Sequence, residues 1–214
     1  MQLISVNIGQ KRSIENAGKS GFTGIYKLPI SGPVQVTPDG LAEDVICDTK
    51  NHGGPDQAVY IYGLPDYQWW SNVLGRELLP GTFGDNMTIS GLESANFLIG
   101  DRLQVGEVTL EVTAPRIPCE TFAARMGDPG FVKRFRAAER PGLYCRVIHA
   151  GWVQAGDEVS LERYMRETVS ILEMFRDFYE PSQSEAQLHR YLASPLAIRS
   201  RQDMEKQLKK LFGA

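Results

Sequence analysis

Glycine and proline recur every few residues as far as Leu161 and then thin out abruptly. That change constrains the fold more than any other feature, because backbone broken so often cannot carry long helices. Between the breaks lie short apolar runs, Val34-Gln35-Val36, Val45-Ile46-Cys47 and Val59-Tyr60-Ile61-Tyr62, patterned as strands between turns. Two segments look alike, Ile99-Gly100-Asp101-Arg102-Leu103-Gln104-Val105 and Ala155-Gly156-Asp157-Glu158-Val159-Ser160-Leu161, each setting Gly-Asp just before an alternating strand. Val108-Thr109-Leu110-Glu111-Val112 alternates with period two and predicts a strand with one buried face. Repeated Gly-Asp corners without long helices between them favour a mainly β architecture, a closed or nearly closed barrel. Two stretches interrupt it: 65–74, a short helix carrying Trp69 and Trp70, and 129–138, basic and open to a helical reading.

From about Tyr164 the apolar residues take helical spacing, with Val169, Leu172 and Phe175 on one stripe. Leu188 and Leu192 continue the pattern, and Leu208 and Leu211 follow a break at Pro195. The natural division is a β-barrel domain over 1–162 and a small segment of three short helices over 163–214. Ser182 or Ser184 caps the second helix, Glu185 supplies first-turn negative charge, and Pro195 closes the helix. The tail carries 9 Lys and Arg against 7 Asp and Glu, and the preceding part 14 against 19, so the tail is mildly positive and the barrel acidic. Three helices alone are a weak argument for a helix-turn-helix reader, and no nucleic-acid partner is expected.

With 214 residues, 42% of them hydrophobic, there is enough apolar mass for one sizeable core and a small unit beside it. A net charge of −3 and a pI near 5.7 exclude the strongly basic footprint of non-specific nucleic-acid binding. No segment approaches the ~20 apolar residues of a membrane span, and Met1-Gln2-Leu3-Ile4-Ser5-Val6-Asn7 is not a signal peptide, so the chain reads as soluble and cytoplasmic. Cys47, Cys119 and Cys145 are odd in number and lack C-x-x-C spacing, unlike a disulfide framework or a zinc knuckle. Trp69, Trp70 and Trp152 mark either core or an interface such as a homodimer's.

Three segments carry chemical potential. In Thr49-Lys50-Asn51-His52-Gly53-Gly54-Pro55-Asp56 a cation and an imidazole precede two glycines whose backbone N–H groups can approach a phosphate or carboxylate; an ordinary loop has the same composition. Phe83-Gly84-Asp85-Asn86-Met87 is a tight turn in which Asn86 can offer a donor and an acceptor to a heterocycle edge. Ala114-Pro115-Arg116-Ile117-Pro118-Cys119-Glu120 presents Cys119 on a proline-stiffened exit loop, with Arg116, Arg140 and Arg146 as cations able to hold it as thiolate. No His/Cys/Asp/Glu spacing makes a closed zinc site, so a metal here brings its other ligands with it.

Lys50-x-His52-Gly53-Gly54-Pro55-Asp56, Phe83-Gly84-Asp85-Asn86, Gly100-Asp101 and Pro115-Arg116-x-Pro118-Cys119, in this order and spacing, resemble MOSC-domain proteins of the YiiM-like subgroup. The resemblance extends to Thr23-Gly24-Ile25-Tyr26-Lys27-Leu28-Pro29, to Gly142-Leu143-Tyr144-Cys145-Arg146-Val147 and to the helical tail, covering nearly the whole chain. One departure is Asp85, where the family usually has Glu. The resemblance implies a β-barrel that binds molybdenum cofactor (molybdopterin), with Cys119 as thiolate ligand to the metal and the catalytic residue. It makes Lys27, Lys50, His52 and Arg116 candidate phosphate contacts, with Gly53 and Gly54 as the backbone cradle and Asn86 a candidate pterin contact. Cys47 and Cys145 match no ligand position and are expected to be structural. Relatives of this kind are linked to reduction of N-hydroxylated compounds such as hydroxylaminopurine base analogues, a detoxification. The chain shows no nicotinamide, flavin or iron–sulfur motif, so electrons come from a separate reductase. The competing readings are a cofactor carrier or sulfur-transfer protein without turnover of its own, and a barrel that has lost the metal.

Overall fold

The computed structural model describes residues 1–15, 21–49, 52–181 and 184–213. Its strands are β1 (Leu3–Gly9), β2 (Arg12–Ser13), β3 (Phe22–Thr23), β4 (Lys27–Pro29), β5 (Val34–Thr37), β6 (Gly40–Leu41), β7 (Val59–Gly63), β8 (Met87–Ile89), β9 (Arg102–Val105), β10 (Val108–Pro115), β11 (Leu143–His149), β12 (Gly151–Val153) and β13 (Val159–Glu162). Its helices are α1 (Leu64–Leu74), α2 (Glu120–Met126), α3 (Phe131–Ala138), α4 (Ile171–Tyr179), α5 (Glu185–Ala193) and α6 (Ile198–Phe212).

Eight strands form one sheet in the order β13-β9-β10-β11-β7-β8-β1-β4, with β12-β5-β6 and β2-β3 as small sheets beside it. Among the described residues the ladders do not run fully round into a closed barrel. The start of β1 approaches β13 through a single bridge, Gln2 to Glu158, reinforced where the Leu3 amide donates to Asp157 O at 2.9 Å. The pairings are antiparallel except β7 with β8, whose connection contains α1, as a parallel pair requires.

Both Gly-Asp corners stand just before strands, β9 and β13, as their spacing predicts. Two local readings are corrected. β10 lies between β9 and β11 and is buried on both faces over most of its length, so its alternation marks no solvent side. Val45-Ile46-Cys47 forms no strand. The Val45 amide donates to Gly9 O at 2.9 Å, and its carbonyl lies where a Cβ on Gly24 would be, 1.7 Å away. Backbone thus packs on backbone, and the apolar character of that run serves a close crossing rather than a ladder.

An aromatic core joins the sheet to α1, α2 and α3. Trp70, Phe83, Phe122, Phe131 and Phe135 are all buried, with Trp70 and Phe131 centroids 5.0 Å apart and Phe122 and Phe135 edge-to-face at 5.0 Å. The helices expected over 65–74 and 129–138 are present as α1 and α3. Of the three tryptophans, Trp70 is core, Trp69 is half-buried and Trp152 is 48% exposed.

The tail folds as three helices. Ser184 caps α5 by accepting from the Gln187 amide, while Ser182 lies outside the described residues. The stripe that α4 buries is Ile171, Met174 and Phe175, with Val169 just before the helix; Leu172 is only half-buried. The helix begins at Ile171, after the Ser170 cap, which rotates the inward face away from the Val169-Leu172 spacing. No helix of the described residues is long and apolar enough to cross a membrane.

Candidate functional site

β10 runs out at Pro115, and the chain turns through Arg116-Ile117-Pro118 to Cys119, the N-cap of α2. The two prolines of this segment predict a loop, and the helix that follows Cys119 is a feature the sequence does not announce. Its Sγ lies 3.8 Å from His52 Nε2, 67 residues away in sequence. Burial pushes the thiol up, but His52 and the Arg116 guanidinium outweigh it and bring its pKa to about 7. Arg140 and Arg146 are held by carboxylates instead: Arg140 by Asp66 at 2.5 Å, Arg146 by Asp56 at 3.0 Å. Of the three arginines expected to act on the thiol, Arg116 is the one whose charge reaches it. Cys145 is fully buried and its thiol is driven well up by burial, an inert core residue; Cys47 is half-buried.

Arg116 is buried. It donates to Phe83 O, and its guanidinium lies against the rings of Tyr60, at 4.9 Å, and Phe122, at 4.4 Å. Among the described residues it has no carboxylate partner, and its Nε has no hydrogen-bond partner. A buried cation left this way is costly unless a ligand completes it.

His52 stands on a loop held from two directions. Its amide donates to Asp48 O at 2.9 Å. Asp56 accepts from the Ile198 amide at the start of α6 at 2.6 Å and pairs with Arg146, so the helical tail ties down the loop that carries the imidazole. Gly53 and Gly54 both have positive φ, 74° and 82°, a backbone that L side chains rarely adopt. A Cβ at Gly53 would press on Ile46, whereas at Gly54 it would meet open space. Lys50 lies outside the described residues.

Lys27 and Asn86 belong to a different arrangement. Asp44, which sequence reasoning missed, gathers both: Lys27 Nζ donates to its two oxygens at 2.5 Å each, Asn86 Nδ2 at 2.9 Å and the Gly9 amide at 2.8 Å. Burial presses the Lys27 ammonium toward a lower pKa, and Asp44 works against that. Asn86 Oδ1 accepts from the Tyr60 amide at 3.1 Å, so both ends of the side chain bind the protein itself. Asp85 is fully buried and accepts from Tyr67 at 2.6 Å and Thr88 at 2.7 Å; burial raises its pKa and these bonds oppose the rise. The structure thus brings Cys119, His52 and Arg116 together around one thiol, beside the Gly53-Gly54 turn, and places Lys27 and Asn86 in the Asp44 network. Asp44 stands in no recognisable motif, and no periodicity marks it.

The sequence profile of the MOSC domain matches residues 48–160, more than half the chain and the stretch that holds His52, Arg116 and Cys119. The chain is a MOSC-domain protein. It is of the YiiM-like kind: the crystal structure of YiiM from Geobacillus stearothermophilus matches it with a TM-score of 0.80 at 26% identity, over 97% of this chain and 98% of that one. The structural match therefore includes the helical tail that lies beyond the MOSC profile. An uncharacterized protein of Bacillus subtilis (strain 168), YflK, is 35% identical over 159 residues, 74% of this chain and 72% of its own. A Gibberella moniliformis protein named a reductase is 33% identical over 141 residues, 64% of this MOSC chain but only 25% of the longer relative.

Proposed function

We propose that this MOSC protein is a molybdenum cofactor-dependent reductase of N-hydroxylated compounds, among them hydroxylaminopurine base analogues. The observation that carries the reading is the thiol of Cys119, half-buried and held near a pKa of 7 by His52 and Arg116 against the effect of burial. A thiol poised in this way is a soft metal ligand at neutral pH. The residues present fit the cofactor: a thiolate for the metal, a buried guanidinium with a free Nε, and a glycine turn at Gly53-Gly54 where a side chain would be strained. The reductase named among the relatives supports the reaction class.

When bound, the molybdenum centre supplies two-electron chemistry at the N–O bond, so that the hydroxylamine, two electrons and two protons give the amine and water. The chain's own residues do the rest. Cys119 Sγ would hold the metal. Arg116 fixes the negative charge of the thiolate and, through its Nε, of an anionic group beside it. His52 Nε2 stands 3.8 Å from Sγ, the nearest side-chain group able to pass a proton at that atom. The electrons come from a separate donor.

A steady-state assay with an N-hydroxylated purine and an artificial electron donor, on protein made in cells with functional cofactor synthesis, tests the reading. Amine product and bound molybdenum are expected. Bound molybdenum without amine product would make the protein a carrier or sulfur-transfer protein, and absence of molybdenum would remove the metal from its function.

A further inference from the structure

The last helix of the tail begins without a cap of its own. Ser170 and Ser184 cap α4 and α5 by accepting from amides in the first turns of those helices, whereas Ala197, at the same place before α6, has no side chain that can do so. The first turn of α6 holds no acidic residue and carries Arg199 and Arg201, the wrong sign for the positive end of a helix. The missing negative charge comes from 142 residues away, where Asp56 Oδ2 accepts from the Ile198 amide at 2.6 Å. Two further connections join the same parts. Arg199 Nη2 donates to Thr49 O at 3.2 Å, and Arg146, paired with Asp56 Oδ1 at 3.0 Å, donates to Leu196 O at 2.8 Å.

Thr49 and Asp56 lie on either side of His52 in the chain, so the start of α6 takes hold of both limbs of the loop that presents the imidazole to Cys119. Thr113 in β10 is the common anchor: its hydroxyl donates to Asp56 O at 2.6 Å, and its carbonyl accepts from the Ala197 amide at 3.2 Å. Within the loop the His52 amide donates to Asp48 O and the Gln57 amide to Gly54 O, bonds that shape its turns without fixing its place against the body of the protein. Leu196 and Ala197 are buried and seat the end of the tail, but Ile198 is 61% exposed, so what joins α6 to the loop is polar, with a charge-assisted bond from Asp56 at its centre. The other end of the tail is fastened independently, where Asp101 accepts from Arg163 at 2.6 Å and from the Tyr164 amide at 2.9 Å. Cutting the joint at Asp56 therefore leaves the tail attached.

We infer that Asp56 and Arg199 are positioning residues, through which the helical tail holds its loop so that His52 Nε2 stays at Cys119 Sγ. The site is thus completed across the two parts of the chain, and the tail belongs to its machinery. That His52 serves a reaction rests on the proposed function; that the tail sets the place of His52 does not. Asp56 and Arg199 are both half-buried, so their truncation cuts the joint without opening the core. Arg201, on the same helix, is the natural control: it donates to Leu192 O at 2.7 Å and Ser194 O at 2.8 Å, inside the tail.

The test is modification of the cofactor-free full chain by diethyl pyrocarbonate, followed at each histidine by peptide mass. The chain has three histidines, and the exposed His149 and His189 serve as references. Asp56→Ala and Arg199→Ala, each first shown by its thermal transition to be folded, should speed modification of His52 about tenfold, the effect of one lost helix cap on a local equilibrium, with the references unchanged. Arg201→Ala should leave His52 within about twofold of wild type, even where it lowers the thermal transition as much. Should Asp56→Ala fail to fold, Arg199→Ala carries the test alone. His52 modified at the wild-type rate in either folded variant, or released equally in Arg201→Ala, would overturn the assignment. In cofactor-loaded protein the Asp56→Ala/Arg199→Ala double variant should lower kcat about tenfold or more with KM little changed, because a displacement of ~1 Å at the reacting atoms is enough. Unchanged kcat in a double variant whose His52 is released would also overturn it. Absence of turnover in the wild type would remove the reductase reading alone, since the histidine measurement needs none.

Discussion

Replacing His52 by alanine should return Cys119 to an ordinary or higher thiol pKa, and the size of the effect follows from the geometry. Burial alone pushes the thiol above 9.0, and His52, through its contact at 3.8 Å and its charge, with Arg116, brings it down to about 7. At pH 7 that leaves roughly half of the thiols ionised, against ~1% at the ordinary value. The drop corresponds to ~3 kcal/mol in favour of the folded thiolate. The sign for stability follows: the folded pKa lies below the unfolded one, so the stabilisation is present above about pH 9 and is lost as the pH falls through 7. Cofactor-free Cys47→Ser protein should therefore gain ~2 kcal/mol of unfolding free energy between pH 7 and pH 9, and the further Cys119→Ser change should remove that gain. The assay is the rate of iodoacetamide alkylation against pH, followed at Cys119 by peptide mass in the Cys47→Ser background. Its midpoint should lie near 7, and His52→Ala should slow alkylation at pH 7 by at least ~tenfold while moving the midpoint upward. A midpoint that stays near 7 in folded His52→Ala protein would refute the role given to the imidazole.

Cys119→Ser should fold and lose most bound molybdenum and reductase activity, whereas Cys47→Ser and Cys145→Ser should leave turnover unchanged apart from stability; metal analysis beside the activity assay decides. Gly24→Ala puts a methyl group 1.7 Å from Val45 O, backbone against backbone, and should cost at least ~3 kcal/mol in denaturant unfolding; a loss below ~1 kcal/mol would mean that the crossing is loose. Phe175→Ala removes a buried ring from the face that α4 presents to the body of the protein and should cost about 4 kcal/mol, so a near-neutral result would show the tail to be weakly attached. Gel shifts with unrelated duplexes at physiological salt should show no retention by the tail, and sequence-specific binding in the nanomolar range would contradict the packing role given to α4.

Much of the fold is legible in the chain. Gly100-Asp101 and Gly156-Asp157 announce β9 and β13, Pro65 and Pro195 bound helices, and the end of Gly and Pro recurrence near Leu161 marks where strands give way to α4. What fails has local causes. Val45-Ile46-Cys47 has strand composition, but its polar backbone atoms are used in the crossing with Gly9 and Gly24. α2 is hidden because Pro115 and Pro118 read as loop, although a proline just before a helix is compatible with its start. The approach of β1 to β13 rests on one bridge between residues at the two ends of the β region, Gln2 and Glu158, whose pairing leaves no trace in either segment.

The site divides along the same line. The sequence by itself determined the residue types: a cysteine after Arg-x-Pro, an imidazole before Gly-Gly, and the spacing that identifies a MOSC domain. It determined the positive-φ turn as well, because that is a property of two adjacent glycines. Only the tertiary structure decided which charges act. Arg116, Arg140 and Arg146 are equivalent as letters, but two of them fold against Asp66 and Asp56 and one is left buried beside a thiol. Lys27 and Asn86 are claimed by Asp44. The physical reason is range: backbone conformation is set by neighbours a few residues away, whereas a charge is set by whatever lies within a few ångströms, and in a sheet of non-local pairings those neighbours come from distant parts of the chain.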